Sequence, residues 1–442
     1  MRLTILGGGG FRVPLVYRAL ALDPTSLVDE VVLFDEDPLR VHAISRVLHG
    51  VAGSGSGPAV LVADRLDDAV RGADVVFSAV RVGGTAGRVI DERVALDVGV
   101  LGQETTGPGG IAYALRTLPV ATRIAERVAD LAPSAWVLNF TNPAGMVTAA
   151  MQDVLGERVL GICDSPAGLV RRVSLALGVD QTRVVAGYAG LNHLGWLRSV
   201  VVDGVDLLPR LLADDTALSG FEEGRLFGPD LLRLLGAIPN EYLFYYYFTR
   251  EAVTAMRAAD RTRGEVIADQ QSDVYPQLAG ADDPATVWDD ARLAREQGYL
   301  AEARTPTENR DEADLAGGGY EQVALAAMRA LVTGVPSELI LNVRNRSPLA
   351  LRPALEQLPG DAVVEVPTLV DGAGAHPRAQ PPLDDHQLSL VSALRAVETA
   401  TAEAAASGSR RAALRAFTVH PLVDSAAVAR ELLDGYLGPG SG

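Results

Sequence analysis

The stretch Met1-Arg-Leu-Thr-Ile-Leu6, running into Gly7-Gly-Gly-Gly-Phe-Arg-Val-Pro14, decides the fold of this 442-residue chain. It reads as a short apolar strand, a glycine turn and the start of a helix. Glycines let backbone approach a pyrophosphate, and a helix N-terminus favours negative charge. Gly7 and Gly9 fit a dinucleotide fingerprint, but Arg12 stands where its third glycine belongs, so a purely structural turn is the alternative. The next strand ends at Val31-Val-Leu-Phe-Asp35. An acid there suits the ribose hydroxyls of NAD and disfavours the 2′-phosphate of NADP. Gly7, Gly8, Gly9, Gly10, Phe11 and Asp35 are the candidate cofactor residues.

Outward from this point the first ~200 residues alternate short apolar strands with helical patterns, the signature of a parallel sheet with crossover helices. Strands are expected at about 2–6, 30–35, 74–80, 135–140 and 158–163, and helices at about 12–22, 38–50, 110–131, 144–154 and 167–177. Beyond them, 182–185 and 197–202 look like strands, 211–224 and 303–318 like loops, and 319–333 and 387–407 like helices. The fold class is therefore α/β. A Rossmann-like NAD-binding domain is expected over residues 1–190, and a second α+β domain for substrate, metal and oligomerisation over 191–442.

The strand ends carry polar residues. Arg81, Gly83-Gly84, Arg88 and Asp91-Glu92 follow one strand, Asn139-Phe-Thr-Asn-Pro143 another, and Cys163-Asp164 a third. All fall on the edge that bears the glycine turn, where open α/β sheets place their ligands. Each alone is explicable as a turn or a cap. Arginine at such a site reads as a clamp for a carboxylate or phosphate, because its planar fork bonds oxyanions bidentately. Cys163 is the only cysteine, so it makes no intrachain disulfide. It is open to three readings: metal ligand, nucleophile or inert core thiol. Gly102-Gln-Glu-Thr-Thr-Gly-Pro-Gly-Gly110 is too rich in backbone donors for an ordinary linker and reads as a loop for a cofactor or polar substrate. In Gly190-Leu-Asn-His-Leu-Gly-Trp196, His193 is either a satisfied core residue or a metal ligand paired with the thiolate. Four of eleven tyrosines crowd into Tyr242-Leu-Phe-Tyr-Tyr-Tyr247. They form a half-buried aromatic helix, or one of them is a base whose proton affinity a nearby cation lowers.

Composition narrows the class. With 48% hydrophobic residues the chain can bury a large core, and its formal charge of −17 argues against nucleic acid and anionic membranes. All 39 basic residues are arginine, which excludes lysine Schiff bases and a Walker lysine. No apolar run approaches the ~20 residues of a membrane span. The opening residues carry no signal-peptide cleavage pattern, and a lone cysteine suits a reducing compartment, so a cytoplasmic enzyme is expected.

These motifs, in this order, resemble glycoside hydrolase family 4, the NAD- and divalent-metal-dependent glycosidases. The segments that carry the resemblance are GGGG at 7–10, GQETTGPGG at 102–110, NFTNPAG at 139–145, GICDSP at 161–166, GLNHLGW at 190–196 and IPNEYLFYYY at 238–247. Asn342-Val-Arg-Asn345, Val363-Val-Glu-Val-Pro367 and His420-Pro-Leu-Val423 look like later signatures. The resemblance implies hydride abstraction from sugar carbon 3 by NAD, deprotonation at carbon 2, elimination of the aglycone, then addition of water and return of the hydride. Ordinary two-carboxylate glycosidase logic does not apply to such enzymes. It implies NAD and a divalent metal, with manganese the first choice, as cofactors. It assigns Cys163 and His193 as metal ligands, Tyr242 as the carbon-2 base and Asp164 as the acid for the leaving group. Arg88, Asn142 and Arg263 become substrate residues, with both arginines toward a 6-phosphate. The substrate implied is a phosphorylated disaccharide or aryl 6-phosphoglucoside, on the 6-phospho-β-glucosidase branch; Asp164 itself is more typical of the 6-phospho-α-glucosidase branch. Phe11 follows four glycines where the family commonly has serine after three. A homodimer or homotetramer is expected. The alternatives from other classes are an NAD-dependent hydroxy-acid dehydrogenase and a non-catalytic NAD-sensing protein.

Overall fold

The computed structural model describes residues 1–52, 57–303, 310 and 319–439. Six strands form a parallel half-sheet: β1 (Arg2–Leu6), β2 (Glu30–Phe34), β3 (Ala59–Val62), β4 (Val75–Ser78), β5 (Trp136–Asn139) and β6 (Val159–Gly161). Their spatial order is β3-β2-β1-β4-β5-β6, with every neighbouring pair parallel. That is the strand order of a dinucleotide-binding sheet, which reverses direction between β1 and β4. Alternate side chains serve opposite faces. Leu3, Ile5, Phe77 and Leu138 pack into one core with the helix Val13–Ala21. Leu6, Val76 and Val137 pack into another with the helices Pro108–Leu131 and Ala144–Leu155. Burial on both faces is why these strands read as unbroken apolar runs.

The sheet does not stop at β6. The strands β7 (Val184–Leu191), β8 (Leu194–Val202), β9 (Val205–Asp206), β10 (Ile238–Pro239), β11 (Ser337–Arg344), β12 (Val363–Asp371) and β13 (Gly374–Pro377) extend it, all antiparallel. Two seams are narrow, each a single register pair: Asn342 with Gly161, and Glu365 with Gly190. At the first a Cβ on Gly161 would stand 2.4 Å from Thr148 Oγ1 and 2.7 Å from Asn342 Cβ, so only glycine lets the strands meet.

Three departures from the expected elements have physical causes. β3 was not foreseen, because as an edge strand it leaves its side chains largely exposed. The helix Gly84–Asp97 was missed because the face it buries carries Arg88, Asp91 and Glu92 beside Ala95 and Leu96, not an apolar stripe. The expected loop at 211–224 contains short helices, one capped by Asp214, whose carboxylate accepts from the Thr216 and Ala217 N–H groups. The expected loop at 303–318 lies almost wholly outside the described residues.

Candidate active site

The carboxyl ends of β1, β4, β5 and β6 open on one cavity of about 630 Å³, at the reversal of strand order. Gly10 and Phe11 line it from β1, Arg88 from the region after β4, Asn142 from β5, and Cys163 and Asp164 from β6. The second half contributes His193, Tyr242 and Arg263. The residues nominated from sequence therefore converge, except that Gly7, Gly8, Gly9 and Asp35 are not among those that line the cavity.

Those four build the turn itself. Gly7 has φ of 81°, and a Cβ there would lie 2.4 Å from Ala79 O. The N–H groups of Gly7 and Gly8 both donate to Phe34 O at 2.9 and 2.8 Å. Asp35 Oδ2 accepts from Gly9 N–H at 2.9 Å, and its Oδ1 from Asp37 N–H at 3.1 Å. A carboxylate has about four acceptor sites, so capacity remains for ribose hydroxyls. Three side chains from the second half clamp the turn's carbonyls: Tyr275 Oη on Gly9 at 2.6 Å, Trp288 Nε1 on Phe11 at 2.8 Å and Tyr320 Oη on Arg12 at 2.6 Å. A tight glycine backbone opening a nine-residue helix, with an acid at the end of β2, fits a dinucleotide.

Across the cavity, β7 and β8 form a hairpin whose two-residue tip is Asn192-His193, with His193 at φ of 62°. The hairpin runs further inward than the sequence suggested, and this puts the imidazole at the cavity wall. Its Nδ1 meets Thr105 Oγ1 at 3.2 Å. Burial pushes its pKa down to about 3, against an opposing pull from Glu104, so the ring is neutral, as a metal ligand must be. The Cys163 thiol is buried, and its pKa is raised well above the usual range by that burial and by Glu365, Asp164 and Glu241. A bare thiolate is poorly supported there, yet the same carboxylates favour a dication. Among the described residues no group of three His, Cys, Asp or Glu side chains converges. The fit is to two protein ligands, with further positions open to substrate oxygens.

Tyr242 stacks on His193, ring centroids 3.7 Å apart and planes 4° from parallel. The expectation of a lowered proton affinity is not met by the chain's own groups. Burial and Glu241 push the Tyr242 phenol well above its usual range. The other tyrosines divide. Tyr245 also lines the cavity and donates to Glu302, Tyr246 turns toward His420, and Tyr247 accepts from Trp196 Nε1 at 3.1 Å. Asp164 is paired with Arg12 at 3.4 Å. Asn142 reaches the cavity with its Oδ1 unpartnered among the described residues.

The arginines are not equivalent. Arg88 already bonds Glu92 at 2.8 Å and Glu104 at 2.7 Å. Glu104 also takes Arg81; burial alone would raise its pKa, but Arg81 and Arg88 hold it down to about 2. Arg263 and Arg295 have no carboxylate partner among the described residues; Arg263 donates to the Arg295 carbonyl, and the Arg295 guanidinium lies 5.3 Å from the centre of the Phe11 ring. Burial and the like charges of Arg12, Arg88 and Arg263 push the Arg295 pKa downward. Half-buried cations crowded together, with Glu296 near both but ion-paired to neither among the described residues, make a site for an anion. Sequence reasoning missed Arg295, because nothing in the polar helix Pro284–Gln297 marks it. Glu365 is not among the residues that line the cavity, yet its charge acts on the Cys163 thiol. It is wholly buried, accepts from Asn342 Nδ2 at 2.9 Å and Tyr188 Oη at 3.1 Å, and burial raises its pKa to about 7.

Comparison with known proteins agrees with this geometry. A Bacillus subtilis protein named "Probable 6-phospho-beta-glucosidase" is 33% identical over 382 residues, 84% of this chain and 79% of its own. The 6-phospho-beta glucosidase structure from Thermotoga maritima, described with manganese, NAD+ and glucose-6-phosphate, superposes with a TM-score of 0.82 at 27% identity, covering 99% of this chain and 97% of that one. A 6-phospho-alpha-glucosidase from gut microorganisms, in complex with NAD and glucose-6-phosphate, also gives 0.82, at 25% identity and with the same coverage of 99% and 97%. Residues 2–179 match the description "Family 4 glycosyl hydrolase" and residues 188–423 its C-terminal domain, which places the chain among glycosidases and not hydroxy-acid dehydrogenases. The chain belongs to family 4 of the glycosyl hydrolases.

Proposed function

We propose that this enzyme hydrolyses 6-phospho-β-glucosides with NAD and a divalent metal, manganese by preference, as cofactors. The observation that carries the reading is one cavity that holds the Cys163–His193 pair, Tyr242 stacked on that histidine, and the unpaired Arg263 and Arg295. Bound NAD supplies reversible oxidation of the sugar at carbon 3, and a bound dication supplies charge stabilisation beside it. The chain's residues do the rest. Tyr242 takes the carbon-2 proton, and Asp164 gives a proton to the leaving oxygen once its pair with Arg12 opens. Arg263 and Arg295 hold the phosphate, and the free Asn142 amide oxygen accepts from a sugar hydroxyl.

The β preference is supported by the 33%-identical relative; Asp164 beside Cys163 favours a 6-phospho-α-glucosidase as the second reading. A panel of p-nitrophenyl 6-phosphoglycosides of both anomers, with Mn²⁺ and NAD⁺, decides between them. Turnover requires both additions and leaves no net NADH by absorbance, since the hydride returns to the sugar. Steady accumulation of one NADH per product overturns the glycosidase mechanism. The same proposal keeps a division near residue 190, an NAD-binding part before it and a substrate- and metal-binding part after it, to whose site the first part lends Arg88, Asn142, Cys163 and Asp164. It also includes a cytoplasmic homodimer or homotetramer, testable by sedimentation. The lone reduced thiol suits the location, and among the described residues no helix is long and apolar enough to cross a membrane.

The arginine roles have their own test. Arg263→Ala and Arg295→Ala are expected to weaken phosphorylated substrates by about ten- to a hundredfold relative to unphosphorylated ones, the effect of one charge-assisted hydrogen bond. Arg88→Ala should do so less selectively, because it also strips Glu92 and Glu104 of their partner. Equal losses on both substrate types show that these side chains do not read the phosphate.

A further inference from the structure

The loop at 102–107, ahead of the helix Pro108–Leu131, lines the cavity with Gln103, Glu104 and Thr105. Gln103 Oε1 accepts from the backbone N–H groups of Thr105 and Thr106, each at 2.6 Å. Two N–H donors on that atom identify it as the oxygen. Thr105 Oγ1 lies 3.1 Å from the same oxygen and 3.2 Å from His193 Nδ1. The hydroxyl has one proton for these two acceptors. If the proton goes to His193, the ring carries its own hydrogen on Nε2 and presents no lone pair to a cation. If it goes to Gln103, the hydroxyl oxygen is free to accept Nδ1–H, and Nε2 is bare. Among the described residues Nε2 has no hydrogen-bond partner, and the ring lines the cavity. A histidine at a left-handed hairpin tip has few other contacts to set its state, and the stack on Tyr242 fixes the ring plane but not the proton.

We propose that Gln103 and Thr105 are positioning residues that hold His193 as the Nδ1–H tautomer, with Nε2 directed at the dication. This rests on the metal reading of Cys163 and His193. Outer partners of this kind orient a ligating imidazole, and their loss typically costs ~10–100-fold in metal affinity.

Two measurements test the relay. The first is the tautomer of His193 in the metal-free protein with ¹⁵N-labelled histidine, assigned through His193→Ala. Protonation at Nδ1 is expected, and protonation at Nε2 in the wild type overturns the proposal without any variant. The second is Mn²⁺ titration of the NAD⁺-loaded protein, followed by the EPR signal of free Mn²⁺. Thr105→Val should weaken binding by ~10–100-fold, Thr105→Ser should stay near wild type, and NAD⁺ affinity should not move in either. Unchanged Mn²⁺ binding in Thr105→Val, or an equal loss in Thr105→Ser, overturns the relay. His193→Ala in the same titration separates the two ideas. If it binds Mn²⁺ normally, the metal reading itself fails; if it loses Mn²⁺ while Thr105→Val does not, only the relay fails.

Discussion

Cys163→Ser is expected to lose metal-dependent turnover by more than ~10²-fold while NAD⁺ binding persists. Removing an outer partner of a metal ligand costs ~10–100-fold, and on the proposed assignment this substitution removes a ligand itself. Serine is the stringent choice because it keeps the size of the side chain but replaces a thiolate with a hard hydroxyl that stays protonated. The residue is 5% exposed and its sulfur is met by the Ser165 backbone N–H, so thermal unfolding must be measured beside activity to separate a packing effect from a lost ligand. NAD⁺ binding is the internal control, since the glycine turn is held by Phe34, Asp35 and the clamps from Tyr275, Trp288 and Tyr320, none of which touches Cys163. His193→Ala should match it. A Cys163→Ser protein that keeps the wild-type rate at limiting Mn²⁺ makes the thiol structural and removes the metal from this pair.

Such a test was open from the sequence because chemistry here sits at strand ends. A parallel strand buried on both faces announces itself as an apolar run, and the residue after the run is the residue at the crevice. Cys163, Asn142 and Asp35 were found that way. The glycine turn was legible for the same reason, although Asp35 is also spent on Gly9. Residues that reach the site from elsewhere left no such signal. Arg295 arrives from a polar helix whose pattern does not mark it. The helix Gly84–Asp97 buries charge against charge, so no periodicity exposed it, yet it supplies Arg88. The loop that opens at Gly102 was recognised as unusual and expected to hold a cofactor or polar substrate, and Gln103, Glu104 and Thr105 do line the cavity; its contacts within the fold were not legible. It reads as a cradle of backbone donors, whereas in the fold Glu104 binds Arg81 and Arg88, and Thr105 meets His193. Pairings of that kind depend on distance across the fold and not along the chain.

Tyr242→Phe should reduce cleavage by about 10²–10⁴-fold, the usual contribution of a positioned base, while substrate and cofactor still bind. Phenylalanine preserves the stack on His193, so the change is confined to one oxygen. That oxygen is in an unhelpful place in the chain alone. Burial and Glu241 hold its proton on, and no cationic side chain relieves them. On the proposed assignment, a dication held by Cys163 and His193 would supply the charge that makes a phenolate accessible. Base and metal are thus one electrostatic unit, and their losses should not be additive. In D₂O the wild-type product should carry deuterium at carbon 2, because a carbon that gives its proton to a solvent-exchanging base recovers its hydrogen from solvent. Product with no deuterium there argues against elimination altogether. Deuterium uptake at full rate in Tyr242→Phe moves the role to Tyr245, because Tyr246 and Tyr247 turn away from the cavity and Tyr245 is the other member of the cluster that lines it.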